Sequence, residues 1–375
     1  MASMNLWRAS EHEPLTDQGW DGGWAREAIA EIVADAEAAA SADGVWPPHP
    51  RDEIGEGEVW SSLYLGSAGM LWGLARLGSR FDGARAITAA LARYRSTPDH
   101  AQDPHAPSLW IGETGILMAA ARLGSPAADP VRLRELIHAN REHPTRELMW
   151  GAPGTMLAAR ACGLEAEWRE SAMALWAAWN ADSGLWTQEL YGRASEYLGP
   201  AHGFAGTLHA LRRSVPDAVL RERVGRALSP LALRDGAGLA NWPPVPGDPP
   251  EKLRVQWCHG APGIVATIGD LLPRGLAFAG GELTWHAGPL RKGPGLCHGT
   301  AGNGFAFLRL HALTGDATWL DRARRFAVHA VAQVRHERDA VGHGRYTLFT
   351  GDIGVALYVR ACLDAEPSFP TVDVL

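Results

Sequence analysis

The sequence has few cysteines, and it lacks the long apolar runs and basic stretches that mark several classes of protein. Four cysteines in 375 residues are too few for a disulfide scaffold of this size, so we expect reduced thiols. No apolar run approaches the roughly 18 residues that span a bilayer, and residues 1–21 contain no apolar core of a secretory signal. No basic stretch stands out at a net charge of −7, which argues against a nucleic-acid partner. These absences predict a soluble, cytoplasmic protein with no membrane partner.

Two of the four cysteines stand directly before a histidine. The stretches are Cys258-His259-Gly260 and Cys297-His298-Gly299, with the two cysteines 39 residues apart. Thiolate and imidazole are ligands that zinc prefers, and three protein ligands leave the fourth position open for water or substrate. Two buried cysteines beside incidental histidines remain the alternative interpretation. Cys258, Cys297 and His298 form the predicted ligand set, from which His259 is left out.

A pattern of two glycines, Gly-x-x-Gly, followed by an apolar helical stretch recurs seven times along the chain. The first glycines lie 39 to 57 residues apart: Gly66, Gly112, Gly151, Gly203, Gly260, Gly299 and Gly351. Each pair predicts a short, buried helix, and more polar amphipathic segments lie between these helices. Asp82, Asp129 and Asp316 stand where the N-caps of three polar segments should be. The alternation predicts two kinds of helix in regular order.

Seven buried helices alternating with outer ones predict an all-α fold, a seven-fold α/α toroid. The inner helices would form a ring, the outer helices would sheathe it, and the glycine loops would gather at one end. In one repeat we expect the outer segment to be short, only residues 281–289, as a loop or a single turn. The proline-rich residues 241–250 should form a long loop near the mouth. Residues 1–21 are expected to be a mobile N-terminal segment, and residues 22–375 a single domain.

The loop residues just before each glycine pair would be neighbours in space at the rim of such a ring. This places His202, Glu147 and Arg254 beside the predicted metal ligands. Together they suit a metal-activated nucleophile with an acid–base partner and an anion stabiliser. Each also has an ordinary structural explanation: a hydrogen-bonded loop histidine, a charge at a helix start, and a surface arginine. Asp352 is interpreted as the cap of the last inner helix.

Three stretches resemble the lanthionine synthetase C-like (LanC-like) family. They are Trp-Cys-His-Gly-Ala-Pro-Gly at 257–263, Gly-Leu-Cys-His-Gly-Thr-Ala-Gly-Asn at 295–303 and Tyr-Leu-Gly-Pro-Ala-His-Gly-Phe-Ala-Gly at 197–206. The resemblance runs from about residue 66 to the end, through all seven repeats, and is strongest to the stand-alone branch that includes the eukaryotic members. The two Cys-His motifs are highly specific, and the third is moderately so.

The resemblance implies a seven-fold toroid with one Zn²⁺ per chain on Cys258, Cys297 and His298, and water or a substrate thiol as the fourth ligand. It also implies addition of a zinc-bound thiolate to a dehydroalanine or dehydrobutyrine residue of a dehydrated peptide or protein. In the cyclases the thiol is a cysteine of the same peptide, which gives lanthionine. In the eukaryotic-type members it is a small thiol, glutathione, which we favour as the donor here.

The resemblance also assigns roles to five further residues. His202 matches the acid–base histidine and Arg254 the arginine near the enolate, while Glu147 falls where the cyclases carry an aspartate. Lys292 matches a lysine linked with glutathione binding, and Arg345 is a weaker match as a substrate-binding residue. A non-catalytic, zinc-stabilised module that binds glutathione or a peptide is the competing hypothesis. Sugar chemistry, which other α/α toroids carry, needs two suitably spaced carboxylates, and the rim motifs supply only Glu147 clearly.

Overall fold

The computed structural model describes residues 5–52, 58–100 and 104–373. In this part of the chain, fourteen α-helices alternate between an inner and an outer position. The buried inner helices are α2 (Ser67–Arg76), α4 (Glu113–Arg122), α6 (Ala152–Ala161), α8 (Phe204–Ala210), α10 (Ala261–Ile268), α12 (Thr300–Thr314) and α14 (Asp352–Asp364). The outer helices are α1 (Gly22–Ala39), α3 (Gly83–Ser96), α5 (Pro130–Asn140), α7 (Glu165–Ala177), α9 (Asp217–Arg223), α11 (Arg274–Ala287) and α13 (Ala317–Val341).

The inner helices form a closed ring. Each one packs against the next inner helix along the chain, and α14 packs against α2 to complete the circle. Helix α1 is the first outer helix but lies on α14, so the two ends of the repeat array are held together. The expected all-α, seven-fold α/α toroid is therefore confirmed.

Strands are few and short in the described residues. Strand β1 (Gln188–Leu190) pairs antiparallel with β2 (Arg193–Ser195), with Leu190 opposite Arg193. Strand β3 (Leu233–Arg234) pairs antiparallel with β4 (Ala240–Asn241). The expected loop at 241–250 follows β4 and ends in the 3₁₀ turn Pro250–Lys252.

The two glycines of each repeat have different positions in the structure. The first is the N-cap of an inner helix in all seven repeats. The second lies inside the first helical turn, so these helices begin three residues earlier than the apolar runs predict. A Cβ on the second glycine would overlap the carbonyl oxygen of the residue six positions earlier, at Gly69, Gly115, Gly154, Gly206, Gly263, Gly302 and Gly354. The loop thus folds tightly over the helix that it leads into.

The second glycine also receives a side chain from the preceding repeat. Leu63 of the first repeat packs on Gly115 of the second, and Leu296 of the sixth packs on Gly354 of the seventh. Leu348 of the last repeat packs on Gly69 of the first, which closes the circle of contacts. The glycine loops therefore gather at one end of the ring, as the sequence predicts.

Aspartate side chains begin several outer helices. Asp82 accepts a hydrogen bond from the backbone N–H of Arg85 at 3.1 Å, and Asp129 accepts one from Arg132 at 2.9 Å. Asp316 accepts one from Thr318 at 2.9 Å. These bonds satisfy donors that the first helical turn leaves free. The three predicted N-caps are confirmed.

The outer segment of the sixth repeat was expected to be short, and that expectation is wrong. Helix α11 spans Arg274–Ala287, 14 residues. Gly280 and Gly281 weaken its helical pattern in the sequence, because glycine has a low helix propensity. In the structure a Cβ on Gly281 would overlap the Leu310 side chain, so the glycine lets α11 approach α12 closely. Tertiary packing thus overrides the local preference.

The N-terminal segment packs on the toroid along residues 5–21; residues 1–4 lie outside the described part. The Leu6 side chain is fully buried, and the His12 ring donates from Nδ1 to the carbonyl of Gly288 at 2.8 Å. The Glu13 carboxylate accepts a hydrogen bond from Gln333 Nε2 at 2.8 Å. This packing differs from the mobile segment that the polar composition predicts, because the contacts are made with helices some 280 to 320 residues away. The division at residue 21 and the single domain of 22–375 stay predictions.

The C-terminal residues enter the ring beneath the glycine loops. The Phe369 ring stacks on Trp257, beside Cys258, with ring centroids 4.2 Å apart. Trp110 Nε1 donates to Thr371 Oγ1 at 3.2 Å, and Asp373 pairs with Arg309 at 3.1 Å. The tail therefore packs against three separate repeats and fills space between the inner helices. Among the described helices, we find none that is both long and apolar enough to cross a membrane.

The glycine packing predicts a large difference between two Gly→Ala substitutions. Gly115→Ala places a Cβ against the Leu109 carbonyl, so it should lower the free energy of unfolding by at least about 3 kcal/mol or prevent folding. In Gly275→Ala, in α11, the added Cβ meets no atom within 4 Å, so this substitution should raise the free energy of unfolding by about 0.5 kcal/mol. Urea unfolding of both variants measures the effect. Equal stability of the two variants would contradict the packing argument.

Candidate metal centre and acid–base site

Two glycine loops bring the three predicted metal ligands together. The sulfur atoms of Cys258 and Cys297 and a ring nitrogen of His298 all lie within 4.8 Å of one another. The Cys258 backbone N–H donates to the Cys297 carbonyl at 3.0 Å, which joins the two loops directly. The Cys297 backbone N–H donates to the Phe349 carbonyl at 2.9 Å, so the loop of the last repeat also holds this position. Both cysteines are buried.

The donor set fits zinc. Two thiols and one imidazole are a common zinc ligand combination, and three protein ligands are typical of sites that keep one open position. Cys258 and Cys297 are buried so close together that their charges are strongly linked. The hydrogen bond from the Cys258 thiol, together with His298 and a hydrogen bond from Tyr64, lowers the pKa of Cys297 well below the usual range. The bond to Cys297 and burial raise the pKa of Cys258. A metal cation bound between the two sulfurs would stabilise both of them as thiolates.

A histidine–carboxylate pair lies on the adjacent loops. Nδ1 of His202 is 2.8 Å from Oε2 of Glu147, and the Glu147 side chain is fully buried. The Glu147 carboxylate also accepts hydrogen bonds from the backbone N–H groups of Met149 at 3.0 Å and Trp150 at 2.5 Å. These bonds fix the carboxylate in the turn that precedes Gly151. Because Glu147 occupies Nδ1, Nε2 of His202 is the nitrogen available to exchange a proton with a substrate.

Opposing effects set the charge of His202. Burial pushes the pKa of its imidazole down, but the hydrogen bond and charge of Glu147, with a smaller contribution from Cys297, outweigh burial and raise it above the ordinary value. The field of Cys297 at His202 also indicates that the pair lies near the sulfur cluster. His202 therefore holds its proton to higher pH than a free histidine, which suits a proton donor at neutral pH.

His259, outside the predicted ligand set, lies beside the acid–base pair. Its ring centroid is 5.7 Å from that of His202 and 5.9 Å from that of Tyr197. Burial, followed by the charges of His202, Arg254 and His298, lowers the pKa of His259 to about 3. This imidazole is neutral at neutral pH. Among the described residues, its Nδ1 atom is buried and has no hydrogen-bond partner.

Arg254 lies at the His259 side of the centre. Its guanidinium group donates to the carbonyls of Glu251 at 3.3 Å and Leu253 at 3.0 Å, in its own loop. Its charge is one of those that lower the pKa of His259. Lys292 is exposed, and its charge acts on Cys258, which places it at the sulfur side of the centre. The structure thus puts the two predicted cations near different members of the site.

Arg345 is buried and already paired. Its guanidinium group forms an ion pair with Asp52 at 2.5 Å, and its Nη2 donates to the Arg51 carbonyl at 3.2 Å. Its backbone N–H donates to Asp352 at 3.2 Å. Asp352 is the first residue of α14 rather than its cap, which is Gly351, and burial raises the pKa of Asp352 to about 7. Contact between Arg345 and a substrate stays a prediction.

Several residues of the site escape sequence reasoning. Tyr64 reaches Cys297 from the first repeat, and its ring stacks on Phe349 with centroids 4.7 Å apart. The Oε1 atom of Gln256 lies 3.6 Å from the Cys258 sulfur. Tyr191, at the tip of the β1–β2 hairpin, has its ring centroid 6.1 Å from that of His202. Tyr64 stands two residues before Gly66, and Gln256 stands two residues before Cys258. These positions are the only sequence signal that could have identified the two residues. No sequence feature points to Tyr191.

The chain is similar to several known proteins. A family model described as lanthionine synthetase C-like protein matches residues 58–374. A protein named glutathione S-transferase LANCL1, from Danio rerio, is 34% identical over 203 residues, 50% of this chain and 47% of that protein. LanC-like protein GCL1 from Arabidopsis thaliana is 32% identical over 193 residues, 48% of this chain and 44% of that protein. The matched segments thus span about half the length of these curated relatives.

A solved structure has the same fold. The structure named nisin cyclase superposes with a TM-score of 0.53 over 91% of this chain and 94% of that one. The sequences are 15% identical, so this similarity concerns the fold alone.

The geometry of the pair predicts that Glu147 keeps the proton on His202. Glu147→Gln removes the charge that opposes burial, so the pKa of His202 should fall and its ring should lose the proton at a lower pH than in the wild type. NMR titration of the His202 ring protons measures the pKa. Glu189→Gln, which changes an exposed carboxylate on β1, is the control and should leave it unchanged. An unaltered pKa in Glu147→Gln would mean that Cys297 dominates instead.

Proposed function

Since the chain belongs to the lanthionine synthetase C-like family, we propose that it catalyses zinc-dependent addition of a thiol to a dehydroalanine or dehydrobutyrine residue of a peptide or protein. The product is a lanthionine-type thioether. The observation that carries the proposal is the cluster of Cys258, Cys297 and His298 within 4.8 Å beside the Glu147–His202 pair. The name of one relative, a glutathione S-transferase, supports the transfer of a thiol.

Cys258, Cys297 and His298 would hold one Zn²⁺ per chain, which supplies the Lewis acidity that lowers the pKa of an incoming thiol. The other residues handle the proton and the developing charge. The thiol sulfur forms a bond to the β-carbon of the dehydroamino acid, and the C=C electron pair moves onto the carbonyl oxygen as an enolate. The thiol proton is released to solvent, Nε2 of His202 donates a proton to the α-carbon, and solvent then restores the proton of His202. The addition requires neither an oxidant nor a reductant.

His202 is the proton carrier in this proposal. Its raised pKa means that the ring holds its proton to higher pH than a free histidine, and the bond to Glu147 at Nδ1 orients Nε2. Arg254, whose charge reaches His259, stabilises the enolate. A non-catalytic zinc-stabilised module would need no such proton carrier. The His202–Glu147 pair therefore favours the enzyme over the binding module.

Glutathione is the proposed donor, ahead of a cysteine of the same peptide. The chain has two lysines, Lys252 and Lys292, and the charge of Lys292 acts on Cys258. An ammonium there can bind a carboxylate of a small anionic thiol while the sulfur reaches the cluster. The Arg51 guanidinium donates to the Lys292 carbonyl, and Arg345 holds Asp52 and the Arg51 carbonyl. Arg345 thus supports the segment around Lys292 through its bonds to Asp52 and Arg51.

We place the reaction in the cytoplasm.

Zinc binding is the first test. The purified protein should contain about one zinc per chain, and Cys297→Ala should lose most of it because two protein ligands hold the ion far more weakly than three. Cys162→Ala, a cysteine outside the cluster, is the matched control and should keep the metal. Elemental analysis of the three proteins gives the answer. Full zinc in Cys297→Ala would remove Cys297 from the site.

Turnover is the second test. The wild type should join glutathione to a dehydroalanine peptide, and His202→Asn should keep its zinc and fold but lose about 10²–10⁴-fold in rate. Mass spectrometry of the thioether product measures this. Unchanged turnover would make His202 a structural loop residue.

The same assay distinguishes the donors. Lys292→Ala should raise KM for glutathione far more than KM for an uncharged thiol of similar size. Lys252→Ala is the control, because the Lys252 ammonium already pairs with Asp248 at 2.6 Å. Equal effects of Lys292→Ala on both thiols would contradict the role of Lys292. Cyclisation of a dehydrated, cysteine-containing peptide without glutathione addition would contradict the choice of donor.

A further inference from the structure

A groove on the protein surface lies beside the acid–base pair. It has a volume of about 640 Å³, and its walls are the loop around His143 and the β1–β2 hairpin. Trp150 lines the groove, and its backbone N–H donates to Glu147. Tyr191 also lines it, with its ring edge-on to His202 at a centroid distance of 6.1 Å. Two lining residues of the groove therefore contact the acid–base pair directly.

Tyr191 is placed unusually for its size. The side chain is 66% exposed, and it is the one aromatic among the exposed large hydrophobic residues in the described part of the chain. It shares the two-residue hairpin turn with Gly192, and both have positive φ, 54° and 72°. Such turns favour asparagine, aspartate or glycine at the first position. A tyrosine in a left-handed conformation that contributes little to the core points to a role in binding.

The hairpin is held in place rather than free. The Glu189 backbone N–H donates to the Pro144 carbonyl at 3.0 Å, on the opposite wall of the groove. Arg193 donates to the Tyr197 hydroxyl at 3.0 Å, and the Tyr197 ring lies 6.2 Å from the His202 ring. Both sides of the turn are thus tied to the site. Tyr191 is presented at a fixed position beside His202.

The two reactants would approach from different sides. The charge of Lys292 acts on Cys258 in the sulfur cluster, where the thiol must arrive, whereas the groove lies beside His202, where the α-carbon of the acceptor must lie. The lining of the groove offers aromatic rings and polar groups instead of a cluster of cations. This lining suits a peptide better than an anionic thiol.

We propose that the groove binds the peptide residues that flank the dehydroamino acid, and that Tyr191 is a specificity-determining residue that packs on them. The inference rests on the proposed function and adds the side from which the peptide enters. Because of Tyr191, the enzyme would prefer a dehydroamino acid within a peptide over an isolated one. A minimal dehydroalanine amide, which has no flanking residues, would gain nothing from this contact.

The test compares two acceptors with one variant. Tyr191→Asn keeps the hairpin, because asparagine favours this turn, but removes the ring. Its kcat/KM for a dehydroalanine peptide with four residues on each side should fall about tenfold more than its kcat/KM for N-acetyl-dehydroalanine amide. Tyr191→Phe keeps the ring and should therefore retain the wild-type preference for the peptide over the amide. Met173→Asn, on the exposed face of α7, is the matched control. Equal losses on both acceptors, or no loss on either, would overturn the proposal.

A binding arm separates this inference from the proposed function. A fluorescent peptide with alanine in place of dehydroalanine cannot react, and its anisotropy reports binding alone. Wild type and Tyr191→Phe should bind it about tenfold more tightly than Tyr191→Asn. If the wild type forms no thioether with either acceptor, the proposed function fails, but this difference in Kd still supports the groove. Equal Kd values for all three proteins would overturn the groove whatever the activity.

Discussion

The structure depends on one repeated contact, in which a loop folds back over the first turn of the helix that it leads into. The second glycine of each repeat allows this, because a Cβ there would overlap the carbonyl oxygen six residues earlier. The same glycine receives a side chain from the previous repeat, and Leu348 completes the circle on Gly69. Seven loops are therefore held at one end of the ring at a fixed mutual spacing. Distant residues such as Glu147, His202 and Cys297 become neighbours through that spacing.

Buried charged groups are concentrated at the candidate site, and each has a hydrogen-bond partner there. Glu147 is fully buried, but two backbone N–H groups and His202 satisfy its carboxylate. An unpaired carboxylate at such depth would be strongly unfavourable. The two buried sulfurs share a hydrogen bond, and His298 and Tyr64 favour the charged form of Cys297. Each perturbed group is thus held by a specific partner, an arrangement common at catalytic centres.

The centre is also supported from below. The Phe369 ring stacks on Trp257, the residue before Cys258, and it packs on Phe305 of α12 at 4.9 Å. The tail thereby fills the ring beneath the glycine loops. The charge of Lys292 acts on Cys258, and Tyr191 lies beside His202, so the two residues neighbour different parts of the centre. The ring thus encloses the candidate site, while its loops carry the candidate functional groups.

The sequence alone determined the repeat, the alternation of helices and the candidate metal ligands, because these depend on local periodicity and on residue types with few other uses. The two Cys-His motifs and the loop positions of His202 and Glu147 are visible in the sequence itself. Only the tertiary structure decided that Glu147 bonds to Nδ1 of His202, that Asp52 pairs with Arg345, and that Tyr191 lies beside His202. It also decided that α11 is a full helix, since its glycines fit against α12. Each of these outcomes depends on contacts between residues remote in the chain, which local pattern cannot encode.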